Sequence, residues 1–401
     1  MKVVSLIRNV NDLFKIRSLQ LKSDWCKPEL RCTSGEWVVF SSKQESYLGF
    51  TNPVLTRPSY YLVEKFDKKL IKEYVKKDEV DVAREVIKLK LATSINYRLK
   101  DLPYGNNARM VYGMADFLPG LIIDAYVNMV VVQINTAGLD RFRDLIKSEL
   151  EKFFPEKELC FLDNEKQRSK EQLPQYEPSL KNKNLMIQDG RLQLEIEPRY
   201  WQKNGYYYDH RDNREKLYQK LTKLQLKIDN GLDLFCYLGS WGITALLAGV
   251  KNIEFVDQAN LGSQLDINLR KNHLMGRGVF HHGDVFNFLD HKIHEEASYG
   301  LIISDPPSFA KSLDKKSQAI LGYKKLHKKV LQLLAPRGLV CFASCTHYVT
   351  NKEFESTIME AANICKRNLK LIDTGVQALD HPFVNFNDKS YYLKYYVYLS
   401  E

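Results

Sequence analysis

Residues Leu301–Phe309 read LIISDPPSF. Leu301–Ile303 make a short buried apolar run, and neither Pro306 nor Pro307 can continue a central ladder, because proline has no N–H to donate. The strand therefore has to end at Asp305. A carboxylate at the C-terminal end of a buried parallel strand stands where open α/β sheets bind ligands. The prolines fix the backbone and leave carbonyls free to accept hydrogen bonds, and Phe309 can stack on a flat ring. That combination suits a planar nitrogen heterocycle held by its edge and its face. The plainer alternative is a strand followed by a Pro-Pro turn with an aspartate cap, and the rest of the C-terminal half argues against it.

At 401 residues the chain should hold two or three domains, at roughly one per 150 residues. Apolar content of 44% with 27% charged is ordinary for a soluble globular protein with real cores. Lys and Arg number 59 against 49 Asp and Glu, a net +10. That excess favours a polyanionic partner such as nucleic acid. The cysteines at 26, 32, 160, 236, 341, 345 and 365 form no CxxC pair, so neither a disulfide framework nor a metal site is expected. A reducing compartment follows. Met1–Arg17 lacks the apolar run of a signal peptide, and no apolar stretch is long enough to span a bilayer. A cytoplasmic protein with no membrane association is the expectation.

In chain order, Met1 to about Val75 is β-rich, with runs at Gly35–Phe40, Ser46–Phe50 and Tyr60–Val63 broken by turns at Asn52-Pro53 and Arg57-Pro58. Lys65, Lys68, Lys69, Lys72, Lys76 and Lys77 follow, either a solvated helix face or a phosphate-contacting stripe. Asp78–Arg98 has helical spacing. Leu121–Asp124 and Met129–Ile134 read as a hairpin, and Leu139–Phe154 as an amphipathic helix stopped by Pro155. Glu165–Asn184 reads as a charged surface loop, and Leu192–Ile196 as a strand. From Trp201 onward strands and helices alternate. Strands are expected at Gly231–Tyr237, Glu254–Val256, Leu301–Ser304, Leu339–Phe342 and Tyr395–Leu399, with helices at Gly242–Ala248, Gln264–His273 and Ser317–Leu334. Such alternation implies βαβ units and a parallel sheet covered by helices.

Asp233–Gly242, DLFCYLGSWG, is a strand, a glycine-containing turn and a helix start. Small residues there admit a ligand to the backbone, and the helix N-terminus offers free N–H donors. Only Gly239 and Gly242 are present, which disfavours a dinucleotide fingerprint. Asp257 ends the next strand, at the position that reads ribose hydroxyls in this architecture. Asp284 follows Gly283 where an adenine amino group could be held. Any one of these acids is more often a strand-end cap; three in order, followed by Asp305, form a pattern.

This ordered set resembles the motifs of class I S-adenosylmethionine (SAM)-dependent methyltransferases. Three further stretches resemble the ribosomal RNA large-subunit methyltransferase I family of 5-methylcytosine enzymes: Arg109–Gln133, Gln202–Arg214, and Asp380-His-Pro with the late Tyr392-Leu-Lys394. The likeness runs from about residue 80 to the C-terminus; Asn204 stands where the family pattern has Thr. It implies a Rossmann-like SAM methyltransferase domain at 197–401, preceded by a small PUA-like RNA-binding domain at 1–75 and a central α/β domain at 76–196 that contacts RNA. It also implies SAM as cofactor, ribosomal RNA as partner and compatibility with a homodimer. Cofactor binding is expected of Tyr206, Asp233, Phe235, Tyr237, Gly239, Asp257, Gln258, Asp284, Val285 and Asp305. Pro306, Pro307, Phe309, Lys311 and His347 are expected to meet the substrate.

Ala343-Ser-Cys-Thr-His347 follows a strand. Carbon 5 of cytosine is a poor nucleophile, and a thiolate adding to C6 turns the ring into an enamine whose C5 can attack a methyl donor. Cys345 is the expected nucleophile, at the motif where the family has its catalytic Cys. Asp305 is expected to hold N3 and the exocyclic amine and to supply a proton. The target base has to leave its stack to be reached. Against this stands a structural Cys345, the common fate of a free cysteine. Asp-Pro-Pro-aromatic alone would then serve methyl transfer to nitrogen. A non-catalytic RNA-binding protein on the same fold is the third reading. His347 is either the proton-abstracting base or a turn residue. Lys311, Lys315, Lys316, Lys324, Lys325, Lys328 and Lys329 either line an RNA groove or face solvent.

Overall fold

The computed structural model describes residues 1–27, 32–55, 58–178, 183–201, 205–310, 312–388 and 390–401. Lys311, Asn204 and the turn at Arg57 lie outside them. The chain divides into two compact units. One comprises Met1–Met186, Trp201–Tyr208 and Leu379–Tyr391; the other comprises Ile187–Tyr200, Asp209–Ala378 and Tyr392–Glu401. No helix of the described residues is long and apolar enough to cross a membrane.

In the first unit, β1 (Lys2–Ser5), β2 (Gln20–Leu21), β3 (Glu36–Ser41), β4 (Ser46–Asn52) and β5 (Ser59–Phe66) form a sheet in the order β1-β3-β4-β5-β2. A second sheet runs β6 (Ala108–Tyr112), β7 (Leu121–Ala125), β8 (Met129–Ile134) and β9 (Glu158–Phe161). Trp37 and Phe50 of the first sheet share one core with Ile87, Leu91, Ile123 and Val132. The indole N–H of Trp37 donates to the Gly138 carbonyl at 3.0 Å. Helix Glu79–Asn96 starts where Asp78 accepts the N–H groups of Val80 and Asp81.

Two sequence expectations fail in this unit. Leu139–Phe154 is not one helix but a turn of helix, Ala137–Asp140, followed by Arg143–Phe153. The charged segment after Glu165 opens with helix Glu165–Lys170, and its Arg168 is fully buried. The guanidinium pairs with Asp140 at 2.8 Å and lies 3.6 Å from Asp163, so its charge is matched inside the protein. A charge-rich composition does not reveal such pairing.

β10 (Leu185–Asp189) and β11 (Leu192–Ile196) form a two-stranded sheet, and the second unit is built on a seven-stranded sheet of β12 (Asn230–Leu234), β13 (Asn252–Asp257), β14 (Gly278–His282), β15 (Tyr299–Ser304), β16 (Leu334–Cys345), β17 (Leu369–Gly375) and β18 (Leu393–Ser400). Their order is β14-β13-β12-β15-β16-β18-β17. The first five are parallel, as alternation with helices requires. β18 is antiparallel to both neighbours, a departure from the all-parallel expectation. The described residues between β17 and β18 contain no helix, so the chain returns without the crossover that a parallel strand needs. Leu232, Ile302, Val340 and Phe342 pack with Leu326, Val330 and Phe354 on one side of this sheet. Where β12 was expected to reach Tyr237, it stops at Leu234, and the reason lies in the site.

Candidate active site

The loop leaving β12 turns by repeated left-handed residues. Phe235 (φ 60°), Tyr237 (φ 47°) and Gly239 (φ 78°) all have positive φ. Only glycine takes that conformation freely, so Phe235 and Tyr237 hold local strain of about 1–3 kcal/mol each. Neighbours enforce the path. Asp257, at the end of β13, accepts the Tyr237 N–H at 2.9 Å and the Ala259 N–H at 2.8 Å. The Cys236 N–H donates to Val256 at 3.1 Å. Beneath the loop, fully buried Asp233 accepts the Gly242 N–H at 2.8 Å through one oxygen. Its other oxygen is buried with no hydrogen-bond partner among the described residues. Burial pushes this carboxyl up to about 8, with Asp305 and Asp257 adding to the shift and the Gly242 N–H opposing it.

Asp305 sits one residue beyond β15, as expected. Its Oδ2 accepts the indole N–H of Trp241 at 3.0 Å, and its Oδ1 lies 3.4 Å from Nε2 of His210. Burial disfavours its ionisation, but His210 and the Trp241 N–H outweigh that and hold the carboxyl below its ordinary range. Asp305 is thus an ionised acceptor at neutral pH. Trp241 is stacked on Tyr395 and meets His210 edge-on.

Cys345 ends β16 and is half-buried, and its thiol lies against the Pro306 carbonyl at 3.8 Å. The structure so brings together two motifs forty residues apart. Across the ladder, Cys345 pairs with Leu393 and Ser344 with Lys394. Lys394 is buried; its ammonium donates to the carbonyl of Thr346, next to Cys345, and to Tyr392. Burial lowers Lys394 to about 8. On the same strand end, Ser344 and Tyr323 share a hydrogen bond of 2.9 Å. His347 is exposed, its ring 5.5 Å from that of Tyr392.

The remaining expected residues divide. Pro306 is buried and Pro307 exposed. Phe309 has its ring centroid 4.7 Å from that of Tyr323. Asp284 is exposed and caps helix Val285–His294 by accepting the Asn287 N–H, while Val285 is buried in the core beneath. Gln258 is exposed, with its carbonyl 3.1 Å from His282. Tyr206 belongs to the first unit, buried edge-on against Tyr208. Of the lysines on helix Lys316–Leu333, Lys316, Lys324 and Lys329 pair with Glu353, Glu360 and Asp290. Those three are matched by carboxylates within the protein. Sequence reasoning gave no role to His210, Trp241 or Lys394, because what they do depends on neighbours far away in the chain.

A sheet with one reversed strand beside its edge, a glycine-bearing loop after its central strand and acids at successive strand ends together match solved folds. A candidate SAM-dependent methyltransferase from Streptococcus mutans superposes over 100% of both chains, with a TM-score of 0.74 at 18% identity. A SAM-dependent methyltransferase from Agrobacterium tumefaciens matches 70% of this chain and 87% of its own, with a TM-score of 0.50 at 12% identity. The fold is that of the SAM-dependent methyltransferases. No protein-family model matches the chain. Curated relatives narrow the class. Ribosomal RNA large subunit methyltransferase I of Shewanella denitrificans is 30% identical over 292 residues, 71% of this chain and 72% of its own. The Shewanella amazonensis protein of that name is 31% identical over 294 residues, with the same coverage. The chain belongs to the ribosomal RNA large subunit methyltransferase I family.

Proposed function

We propose that the protein is a SAM-dependent methyltransferase that forms 5-methylcytidine in large-subunit ribosomal RNA through a covalent bond between Cys345 and C6 of cytosine. The observation that carries the reading is the Cys345 thiol at 3.8 Å from the Pro306 carbonyl, beside an Asp305 held as an acceptor. Nitrogen methylation needs no thiol there; carbon methylation does.

The residues fit the cofactor. A methyl group added at Gly242 would come within 2.2 Å of Phe255 and 3.0 Å of Asp233, and one at Gly239 within 2.4 Å of Leu265. Both glycines thus let the loop and the helix start pack closely on the core around Asp233, which keeps an unpartnered oxygen below the loop. Phe235, Tyr237, Gly239, Asp257, Gln258, Asp284 and Val285 would hold SAM. When bound, SAM supplies the methyl group to C5.

The Cys345 sulfur bonds to C6 as the thiol gives up its proton and N3 takes one up, so the ring becomes a neutral enamine. Asp305 accepts from the exocyclic amine; ionised and faced by donors, it is not the source of that proton, contrary to expectation. After transfer, C5 loses its proton to a base, for which His347 is the candidate, the C6–S bond breaks to restore Cys345, and N3 releases the proton it took up. Pro306, Pro307 and Phe309 hold the flipped base, with Lys311 on the phosphates. Residues 1–75 serve as a PUA-like RNA module and 76–196 as a central RNA-contacting domain. The exposed Lys68, Lys69, Lys72, Lys76 and Lys77 support that role.

The test is nucleoside mass spectrometry on in vitro transcribed large-subunit ribosomal RNA after incubation with methyl-labelled SAM. Labelled 5-methylcytidine is expected with the wild type and none with Cys345→Ala. A labelled N-methyl nucleoside that survives the substitution would overturn the carbon mechanism, and absence of any label would favour a protein that only binds.

A further inference from the structure

The orientation of Asp305 is fixed from behind by a chain of side chains, none of which was expected to touch substrate. Asn213 is buried, and its side-chain nitrogen donates to the Val376 carbonyl at 3.0 Å. A carbonyl only accepts, so that atom is the amide NH₂ and not the oxygen. The same nitrogen lies 3.2 Å from Nδ1 of His210. Nδ1 must therefore present its lone pair, which leaves the ring proton on Nε2. Nε2 is buried and faces Asp305 Oδ1 at 3.4 Å, a separation that shortens readily when a site closes on its substrate. The second oxygen of Asp305 already holds the Trp241 N–H. Stacking on Tyr395, with ring centroids 5.4 Å apart, and edge contact with His210 at 5.2 Å keep the indole in place.

We propose that His210, locked as its Nε2–H tautomer by Asn213, and Trp241 are positioning residues that keep Asp305 an acceptor-only carboxylate aimed at the exocyclic amine of the target base. With the Trp241 N–H on one oxygen and His210 Nε2 3.4 Å from the other, a proton on Asp305 would be set beside a donor. The lone pairs left over can accept from the N4 amine of cytosine. The inference rests on the reading of Asp305 as the group that meets the base. The other ionisable groups around Asp305 are Arg214, Asp233 on β12, Tyr323 and Tyr395 on β18, and Arg214 adds to the pull toward ionisation.

The lock is read directly by long-range proton–nitrogen NMR of the full chain labelled with ¹⁵N-histidine, with His210 identified by the signals lost in His210→Gln. In its neutral form the wild-type ring should show a protonated Nε2 and a bare Nδ1, and Asn213→Leu should bring in the Nδ1–H form. A wild-type ring with Nδ1 protonated overturns the lock. The effect on Asp305 is read from the pH profile of kcat/KM for methyl transfer to transcribed large-subunit ribosomal RNA. Trp241→Phe removes that N–H while keeping an aromatic ring against Tyr395. It should move the acid limb upward by about one pH unit, tenfold in proton concentration, with activity recovering at higher pH. An unmoved limb with uniformly lower activity means that Trp241 is merely structural. If the wild type methylates no RNA, the proposed function fails while the spectrum still judges the lock.

Discussion

The side-chain oxygen of Asn268 accepts the backbone N–H of Glu195 at 2.9 Å, joining a helix to the edge of a strand. The pairing repeats at each turn. Gln264 and Asn272, four residues before and after, accept the N–H groups of Glu197 and Gln193 and donate to the carbonyls of Glu195 and Gln193. Two amides one turn apart on helix Gly262–Lys271 and a third at its C-cap, Asn272, thus stand in for a neighbouring strand beside β11 (Leu192–Ile196). An exposed strand edge invites pairing with another chain, and this arrangement covers it. Asn268 also donates to the Leu238 carbonyl at 3.3 Å, which ties the same helix to the loop over Asp233.

Asn268→Leu keeps the volume and removes both bonds, leaving a buried N–H and a buried carbonyl unmatched. A loss of about 2–4 kcal/mol in unfolding free energy is expected, at roughly 1–3 kcal/mol per unsatisfied group. Urea titration followed by circular dichroism measures it. A change under 0.5 kcal/mol would mean that the ladder contributes little.

Asp233 predicts a stability that falls as pH rises. The folded chain keeps this carboxyl protonated to about pH 8, whereas the unfolded chain releases the proton near pH 3.9. Between those values the folded state binds more protons, so unfolding becomes easier with each step upward, and the slope vanishes above the folded value. Asp233→Asn should flatten this part of the curve. Urea midpoints of both proteins, without ligand, at pH 5 and pH 8 decide it: the wild type should lose more between the two than the variant does.

Much of the second unit was legible because its central strands are apolar runs bounded by turn residues. β12, β13, β15, β16 and β18 were all anticipated near their observed positions. β14 and β17 were not. GVFHH and LKLIDTG lie at the two edges of the sheet, half exposed, and carry no apolar run. In the site, Asp305 and Cys345 announced themselves by local chemistry, proline pairs and strand ends. Phe235 and Tyr237 were expected at the cofactor, but their positive φ was not legible, because only glycine signals it in a sequence and the loop is held by bonds from Tyr237 to Asp257 and from Cys236 to Val256. His210 and Trp241 likewise acquire a role only once three segments of chain converge on Asp305.

His327 acts in the opposite direction to Asp233. It is buried between Phe342 and Phe354, and burial pushes its pKa down to about 3. Thr357 spends its hydroxyl proton on the Phe354 carbonyl at 2.6 Å, so the His327 ring donates to Thr357 at 3.1 Å through a protonated Nδ1. The folded ring stays neutral while the unfolded one gains a proton below about pH 6.5. Stability from this group is therefore complete above pH 6.5 and is lost progressively as pH falls toward 3. His327→Gln should be less stable at pH 7 but lose less on going to pH 4.5, which melting temperatures at the two pH values will show.

Gly242→Ala tests whether the loop over Asp233 is the cofactor's cradle. The added methyl would sit 2.2 Å from the Phe255 ring, which is fully buried and has no room to turn. Overpacking of this kind costs about 1–3 kcal/mol, and relief requires the helix start to shift, taking the Gly242 N–H away from Asp233. Gly283→Ala meets nothing within 4 Å and should change stability by less than about 0.5 kcal/mol. S-adenosylhomocysteine binding by calorimetry separates a general loss of stability from a local one. At a temperature where Gly242→Ala is fully folded, a drop in affinity of about tenfold or more, equivalent to about 1.4 kcal/mol, is expected. Unchanged affinity in the folded variant would move the cofactor away from this loop, and with it the geometry that brings a methyl donor to Asp305 and Cys345.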